Sequence, residues 1–176
     1  MSFGLLCPIK YNPYISFTFQ DHLNYAAANG LCHRPSPCPQ KRWYYPGIDY
    51  AANEGTLVHA AFKGFVSSRD EGNTGYGLRV SIDHGNGRMT IYGHLSAVLV
   101  ENGTYVETGA VIGRLGNSGN STGPHLHFEL RINGIPSDPG PFLGQIDVET
   151  DLPVVGGGKK KKPSMKTMYK RCKYRK

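Results

Sequence analysis

No run of this chain is apolar for long enough to cross a bilayer as a helix, which takes about 20 residues. The start, Met-Ser-Phe-Gly-Leu-Leu-Cys-Pro, has neither a basic leader nor an apolar stretch of signal-peptide length. The expectation is a protein made in soluble form that would need another route out of its cell. Cysteine is sparse. Cys7, Cys32, Cys38 and Cys172 fit neither a disulfide-dense scaffold nor a pair of Cys-x-x-Cys knuckles. Reduced thiols are the favoured expectation; a Cys32–Cys38 bridge, or a metal held by that pair with His33, are the alternatives. Acidic residues are absent from the last 18 positions, where ten of the 20 Lys and Arg residues lie. Without that stretch, 10 basic residues face 13 acidic ones, a net of −3, so the formal charge of +7 describes a tail and not the body. Helical periodicity is scarce too, whereas glycine is abundant, which favours strands joined by tight turns. At 176 residues there is room for one domain with a proper core, plus appendages.

Residues 1–43 are expected to be an irregular segment packed on the domain, since Pro8, Pro13, Pro35, Pro37 and Pro39 interrupt any long element. Within it, residues 21–29 predict a short helix with Asp21 as cap and Gly30 at its exit. From Thr56 onward the pattern becomes short strands, at 57–61, 64–68, 78–83, 89–94, 111–115 and 125–132. Asn-Gly pairs at 86–87 and 102–103 suit hairpin turns. The fold class expected is all-β, with an antiparallel sheet core. Gly156, Gly157 and Gly158 form a flexible joint, and residues 156–176 a linker with a polybasic tail. In that tail Met165, Met168, Tyr169 and Cys172 fall on one face of a short helix.

The densest chemical signal is Gly-Pro-His-Leu-His-Phe-Glu-Leu-Arg. Strict alternation puts Leu126, Phe128, Leu130 and Ile132 on one face of a strand and His125, His127, Glu129 and Arg131 on the other. The same alternation in the strand at 89–94 groups Thr90, Tyr92 and His94, and is expected to bring His94 within reach of the histidine pair. Two solvated strand histidines are the bland reading of His-x-His. The functional one is a zinc hydrolase centre, which needs three protein ligands, an open position for water, and a base beside it. Asp49, His94, His125 and His127 supply the parts.

Several segments in series then resemble one family. Pro46-Gly47-Ile48-Asp49-Tyr50-Ala51-Ala52, Gly55 to Ala61 and Gly64-Phe65-Val66 are similar to the opening of the lysostaphin-type zinc endopeptidases. The resemblance continues through Gly75-Tyr76-Gly77, Ile82 to Gly87, Tyr92-Gly93-His94-Leu95, Gly113 to Gly116 and Ser121 to Glu129, and covers roughly residues 44–139 within a domain set at 44–150. It implies an enzyme that cuts peptide cross-links in bacterial peptidoglycan. It further implies Asp49 and His127 as zinc (Zn2+) ligands, with His94 and His125 as general base and transition-state stabiliser. His59 and His84 match no active position and are expected to be surface or loop residues.

One position departs. Where the family carries its first ligand, a histidine four residues before the aspartate, this chain has Tyr45. Three accounts are open. Tyr45 binds the metal as tyrosinate, its phenol lowered from the usual ~10 by the ion. Or His33 or His22 swings in from the upstream segment. Or zinc binds weakly or not at all, leaving a cleft that recognises wall peptide without cutting it.

The run from Lys159 to Lys176 suits a docking role towards a virion or tail protein, nucleic acid or an anionic wall polymer, set against a merely solvated tail. A wall-cutting fold without a leader points to a bacteriophage product, either a lysin in the host cytoplasm before release or a peptidase in the virion at the tail tip. Two rival readings stand beside the enzyme: a wall-binding module that lost its metal, and a structural virion component.

Overall fold

The computed structural model describes residues 3–10, 14–32 and 44–144. The glycine joint, the basic tail, His33, Cys38 and Cys172 lie outside these residues, as do the expectations attached to them. The described chain runs β1 (Tyr14–Phe17), α1 (Phe19–Ala28), β2 (Ile48–Ala51), β3 (Leu57–His59), β4 (Gly64–Asp70), β5 (Leu78–Gly85), β6 (Arg88–Val98), β7 (Tyr105–Val106), β8 (Val111–Leu115), β9 (His125–Ile132) and β10 (Ile135–Ser137), closing with a 3-10 turn at Gly140–Phe142. It is mostly antiparallel sheet with a single α-helix, which is the class the sequence predicts.

The sheet order is β1-β2-β9-β6-β5-β4-β7, with β10 on β9 and β8 bridging β3 to β6. β5 and β6 turn at Asn86-Gly87, both at positive φ (52° and 70°), the conformation a two-residue turn needs to match strand twist. Asn102-Gly103 does not close such a hairpin. The strands on either side of it, β6 and β7, do not pair with each other, and the Asn102 side chain accepts from Ser68 instead.

One face of β9 supplies the core: Leu126, Phe128 and Leu130 are fully buried, packed with Ile48, Tyr50, Tyr92, Ile82 and Leu95. Each such side chain contributes roughly 1.5–3 kcal/mol by leaving water. Tyr92 brings a polar atom inside and satisfies it, its hydroxyl accepting from the Ala61 amide at 2.8 Å and from Thr90 at 2.9 Å. Leu5 and Ile9 of the N-terminal segment join the same core, and β1 adds a strand beside β2 that the sequence reading did not expect.

Local signals in the N-terminal segment also differ in detail. α1 starts at Phe19, capped by Thr18. Asp21 is the reciprocal partner two places inside the first turn: its amide donates to Thr18 Oγ1 at 3.0 Å and its carboxylate accepts from the Thr18 amide at 2.9 Å. His59 and His84 are not loop residues. His59 is buried on β3. His84 lies on β5, where its ring contacts Lys63 O and Thr90 Oγ1, and burial pushes its pKa down to about 4. The expectation of reduced thiols fails as well: among the described residues no cysteine is free, and Cys7 and Cys32 are each disulfide-bonded.

Candidate active site

The other face of β9 builds the site, and strand register explains how. In the β2–β9 ladder Asp49 stands directly opposite His127, and Ala51 opposite His125. The side chains of directly opposed residues share a face and lie close together. On the far side of β9, Gly93 of β6 pairs with His127. Two residues 78 apart in sequence are thereby placed with His127 Nδ1 2.7 Å from Asp49 Oδ1.

His94 reaches this face by a route that alternation does not foresee. Thr90 and Tyr92 pair with Leu130 and Phe128, so their face is the core and not the site. A residue two beyond Tyr92 in regular strand would follow them inward. His94 instead has φ +61°, a left-handed conformation uncommon outside glycine and asparagine, which swings its ring towards His127 and His125. The Tyr76 carbonyl holds the turn by accepting from the His94 amide at 2.8 Å. The ring centroids then stand 4.6 Å from His125 and 5.9 Å from His127.

α1 delivers the fourth imidazole. His22 is 2% exposed, and its Nε2 lies 3.3 Å from Asp49 Oδ2. Candidate ligand atoms of His22, Asp49 and His127 all fall within 4.8 Å of one another, a spacing that one ion can bridge. Tyr45 lines the same cavity, but its ring is occupied elsewhere, 6.1 Å from that of Tyr76 and with the Arg131 guanidinium 4.5 Å over its face.

Each of the four histidines is anchored at one ring nitrogen. His22 Nδ1 lies 2.9 Å from Thr18 O, His94 Nδ1 2.8 Å from Ser118 O, and His125 Nδ1 2.8 Å from Gly123 O. A carbonyl only accepts, so each of these Nδ1 atoms carries the hydrogen and leaves Nε2 to the cavity. His127 differs: both its ring nitrogens face carboxylates, which only accept, so in the metal-free site Nε2 donates to Glu129 Oε1 at 3.2 Å and Nδ1 to Asp49 Oδ1 at 2.7 Å, and an ion would take the place of the Nδ1 proton. Anchoring of this kind fixes the tautomer of metal-binding and proton-accepting imidazoles. The donor set therefore fits a zinc ion: two imidazole nitrogens and a carboxylate, with a cavity of about 620 Å³ open in front.

Electrostatics follow from the packing. Burial raises the pKa of Asp49, but in the metal-free site the imidazoles of His127 and His22 against its two oxygens outweigh it and hold the carboxyl well below the usual range. Burial, together with His127 and His125, pushes His94 down to about 4, so it is neutral at physiological pH. Burial lowers His127, yet Asp49 and Glu129 on its two nitrogens carry it up to about 10 in the metal-free site.

Sequence reasoning passed over the support beneath this cluster. Glu129 is fully buried, although it lies on the face that alternation marks as polar. It also accepts from Tyr76 Oη and from Arg131 Nε, the latter at 2.9 Å, while Arg131 donates to Tyr76 Oη at 2.9 Å. The face is polar because it lines a walled cavity, not because water covers it. Gly47 is required for a related reason. An added methyl would come within 2.9 Å of His127 Cε1 and 2.5 Å of Phe128 O. Gly47→Ala is expected to cost about 1–3 kcal/mol in stability and, by displacing His127, to weaken zinc binding at least about tenfold. Urea unfolding and a zinc titration check the two effects.

Comparison with known proteins is consistent with this geometry. Residues 44–139 match the family described as Peptidase family M23. The DD-carboxypeptidase/endopeptidase Mpg of Neisseria meningitidis is 50% identical over 95 residues, spanning 54% of this chain and 22% of that protein. A zinc-containing peptidase from Vibrio cholerae superposes with a TM-score of 0.59 at 26% identity, covering 77% of this chain and 39% of the other. The catalytic domain of lysostaphin from Staphylococcus simulans does so with 0.53 at 34%, covering 62% and 86%. The chain thus spans about a fifth of the length of the Neisseria relative.

Proposed function

Because the chain belongs to peptidase family M23, of the lysostaphin type, we propose that it is a zinc-dependent endopeptidase that hydrolyses peptide cross-links of bacterial peptidoglycan. The observation that carries this reading is the convergence of Asp49 and His127 with His94 and His125 at one open cavity. The relative named for DD-carboxypeptidase and endopeptidase activity supports the choice of substrate.

Asp49 and His127 hold the ion together with a third ligand. Zinc, when bound, supplies a Lewis acid that acidifies water and polarises a carbonyl. The protein's own groups do the rest. His94 and His125 are locked at Nδ1, so neither ring has to reorient before acting, and each presents Nε2 to the cavity. An unprotonated Nε2 accepts the proton of the attacking water, and a protonated one donates to the oxygen that gains charge or to the departing amine. Glu129 keeps His127 from turning, and Tyr76 and Arg131 keep Glu129 in place.

Purified peptidoglycan incubated with the protein should release new amino termini, in a reaction stopped by a chelator and restored by zinc. Wall binding with no new amino termini would instead support the rival reading of a binding module. Within the same proposal, the basic stretch from Lys159 to Lys176 is a docking element, and the setting is a phage virion at the tail tip or the host cytoplasm before release. Mass spectrometry of clean particles that finds no such chain would dismiss the virion placement.

A further inference from the structure

We propose that the third metal ligand is His22 Nε2, so that helix α1, which lies outside the segment shared with the family, is an obligate part of the metal centre and docks onto the sheet as the ion binds. The inference rests on the metal reading above and deepens it.

Three observations carry it. First, His22 is nearly sealed from solvent, its side chain 3% exposed, with Nδ1–H committed to Thr18 O. Its remaining lone pair at Nε2 faces Asp49 Oδ2 at 3.3 Å. Two acceptors facing each other in a buried place need a proton or a cation between them, and the site offers a third ligand atom, His127 Nδ1, on the same carboxylate. Second, Tyr45 is already engaged: Arg131 covers one part of its ring and Tyr76 lies alongside. Third, among the described residues α1 itself buries little, its ends being tied down by β1 on β2 and by the disulfide of Cys32. A ten-residue helix is marginal by itself, and the only residues that α1 buries are His22 and Ala26. Around them the contacts are mainly between aromatic rings, Phe17 and His127 on His22 at 4.7 Å and 5.1 Å and Tyr25 on Tyr44 at 5.7 Å between ring centroids. The capping box at Thr18 and Asp21 fixes where the helix begins, and so which turn carries His22 to Asp49. Capturing zinc thus adds a direct bond between α1 and the sheet through His22, and metal binding and docking become one linked equilibrium.

The test reads metal, not hydrolysis. Zinc affinity of the full chain is measured by chelator competition for wild type, His22→Ala and Tyr45→Phe. His22→Ala should lose at least about 100-fold, the top of the roughly 10–100-fold range for an outer-shell partner, and Tyr45→Phe should stay within about threefold, below that range. Zinc should also slow amide hydrogen exchange across residues 19–28 in wild type and fail to do so in His22→Ala. Independently of any variant, zinc-edge X-ray absorption of the loaded wild type should fit two imidazoles with oxygen ligands. One imidazole, or unchanged affinity in His22→Ala, overturns the assignment. A wild type that binds no zinc overturns both this inference and the metal reading. Full zinc binding without wall hydrolysis leaves the assignment standing and sinks only the activity.

Discussion

Asp49→Asn should reduce zinc affinity by more than about 100-fold and take hydrolysis down with it. The amide keeps the shape and size of the carboxylate, so the variant separates charge from packing. Asp49 is the centre of the cluster: its Oδ1 meets His127 Nδ1 at 2.7 Å, and its Oδ2 faces His22 at 3.3 Å and His125 at 3.8 Å. Its carboxyl titrates well below the usual range because His127 and His22 outweigh its burial. Removing the charge leaves the ion two neutral nitrogens in a half-enclosed cavity, with no anion to offset the charge brought in. Isothermal titration with zinc, beside a wall-hydrolysis assay, checks both halves. A variant that keeps zinc at wild-type affinity would mean that the ion sits elsewhere.

His125→Ala and His94→Asn should behave in the opposite way, keeping zinc while hydrolysis drops by roughly 10²–10⁴-fold, the usual contribution of a positioned acid or base. Both rings have Nδ1 tied to a backbone carbonyl and lie beside the ligand cluster, so they orient towards the ion's neighbourhood without being needed to hold it. Asparagine is the better replacement at His94 because the backbone there is left-handed at φ +61°, a conformation asparagine tolerates. Zinc content by mass spectrometry, paired with the rate of amine release, makes the comparison. Loss of zinc from either variant would move that histidine from proton handling to metal binding.

The two kinds of prediction also mark where sequence reasoning reaches. The strands at 111–115 and 125–132 match β8 and β9 residue for residue, because period-two alternation over a half-buried strand is a local signal. The Asp49–His127 pairing is legible only through resemblance, since strand register between residues so distant is decided by the whole sheet. Alternation brought His94 into reach for an incorrect reason: it grouped His94 with Thr90 and Tyr92, which are core residues, and could not foresee the positive φ that breaks the pattern. Alternation put Glu129 on the polar face, and no periodicity reports that Tyr76 and Arg131 enclose it there. His22 was one of two upstream histidines that the sequence left open. What distinguishes it is the capping box, legible as Thr18-x-x-Asp21 although Asp21 itself had been read as the cap. Cysteine state was misjudged because spacing alone carries no geometry for Cys7 and Cys32.

The most direct measurement is stoichiometric reconstitution. Protein stripped of metal is titrated with zinc while amine release from purified peptidoglycan is followed. Hydrolysis should rise linearly and reach its plateau at one zinc per chain, with no release in the stripped state. Release that persists without zinc, or a fully loaded protein that releases nothing, would contradict the account.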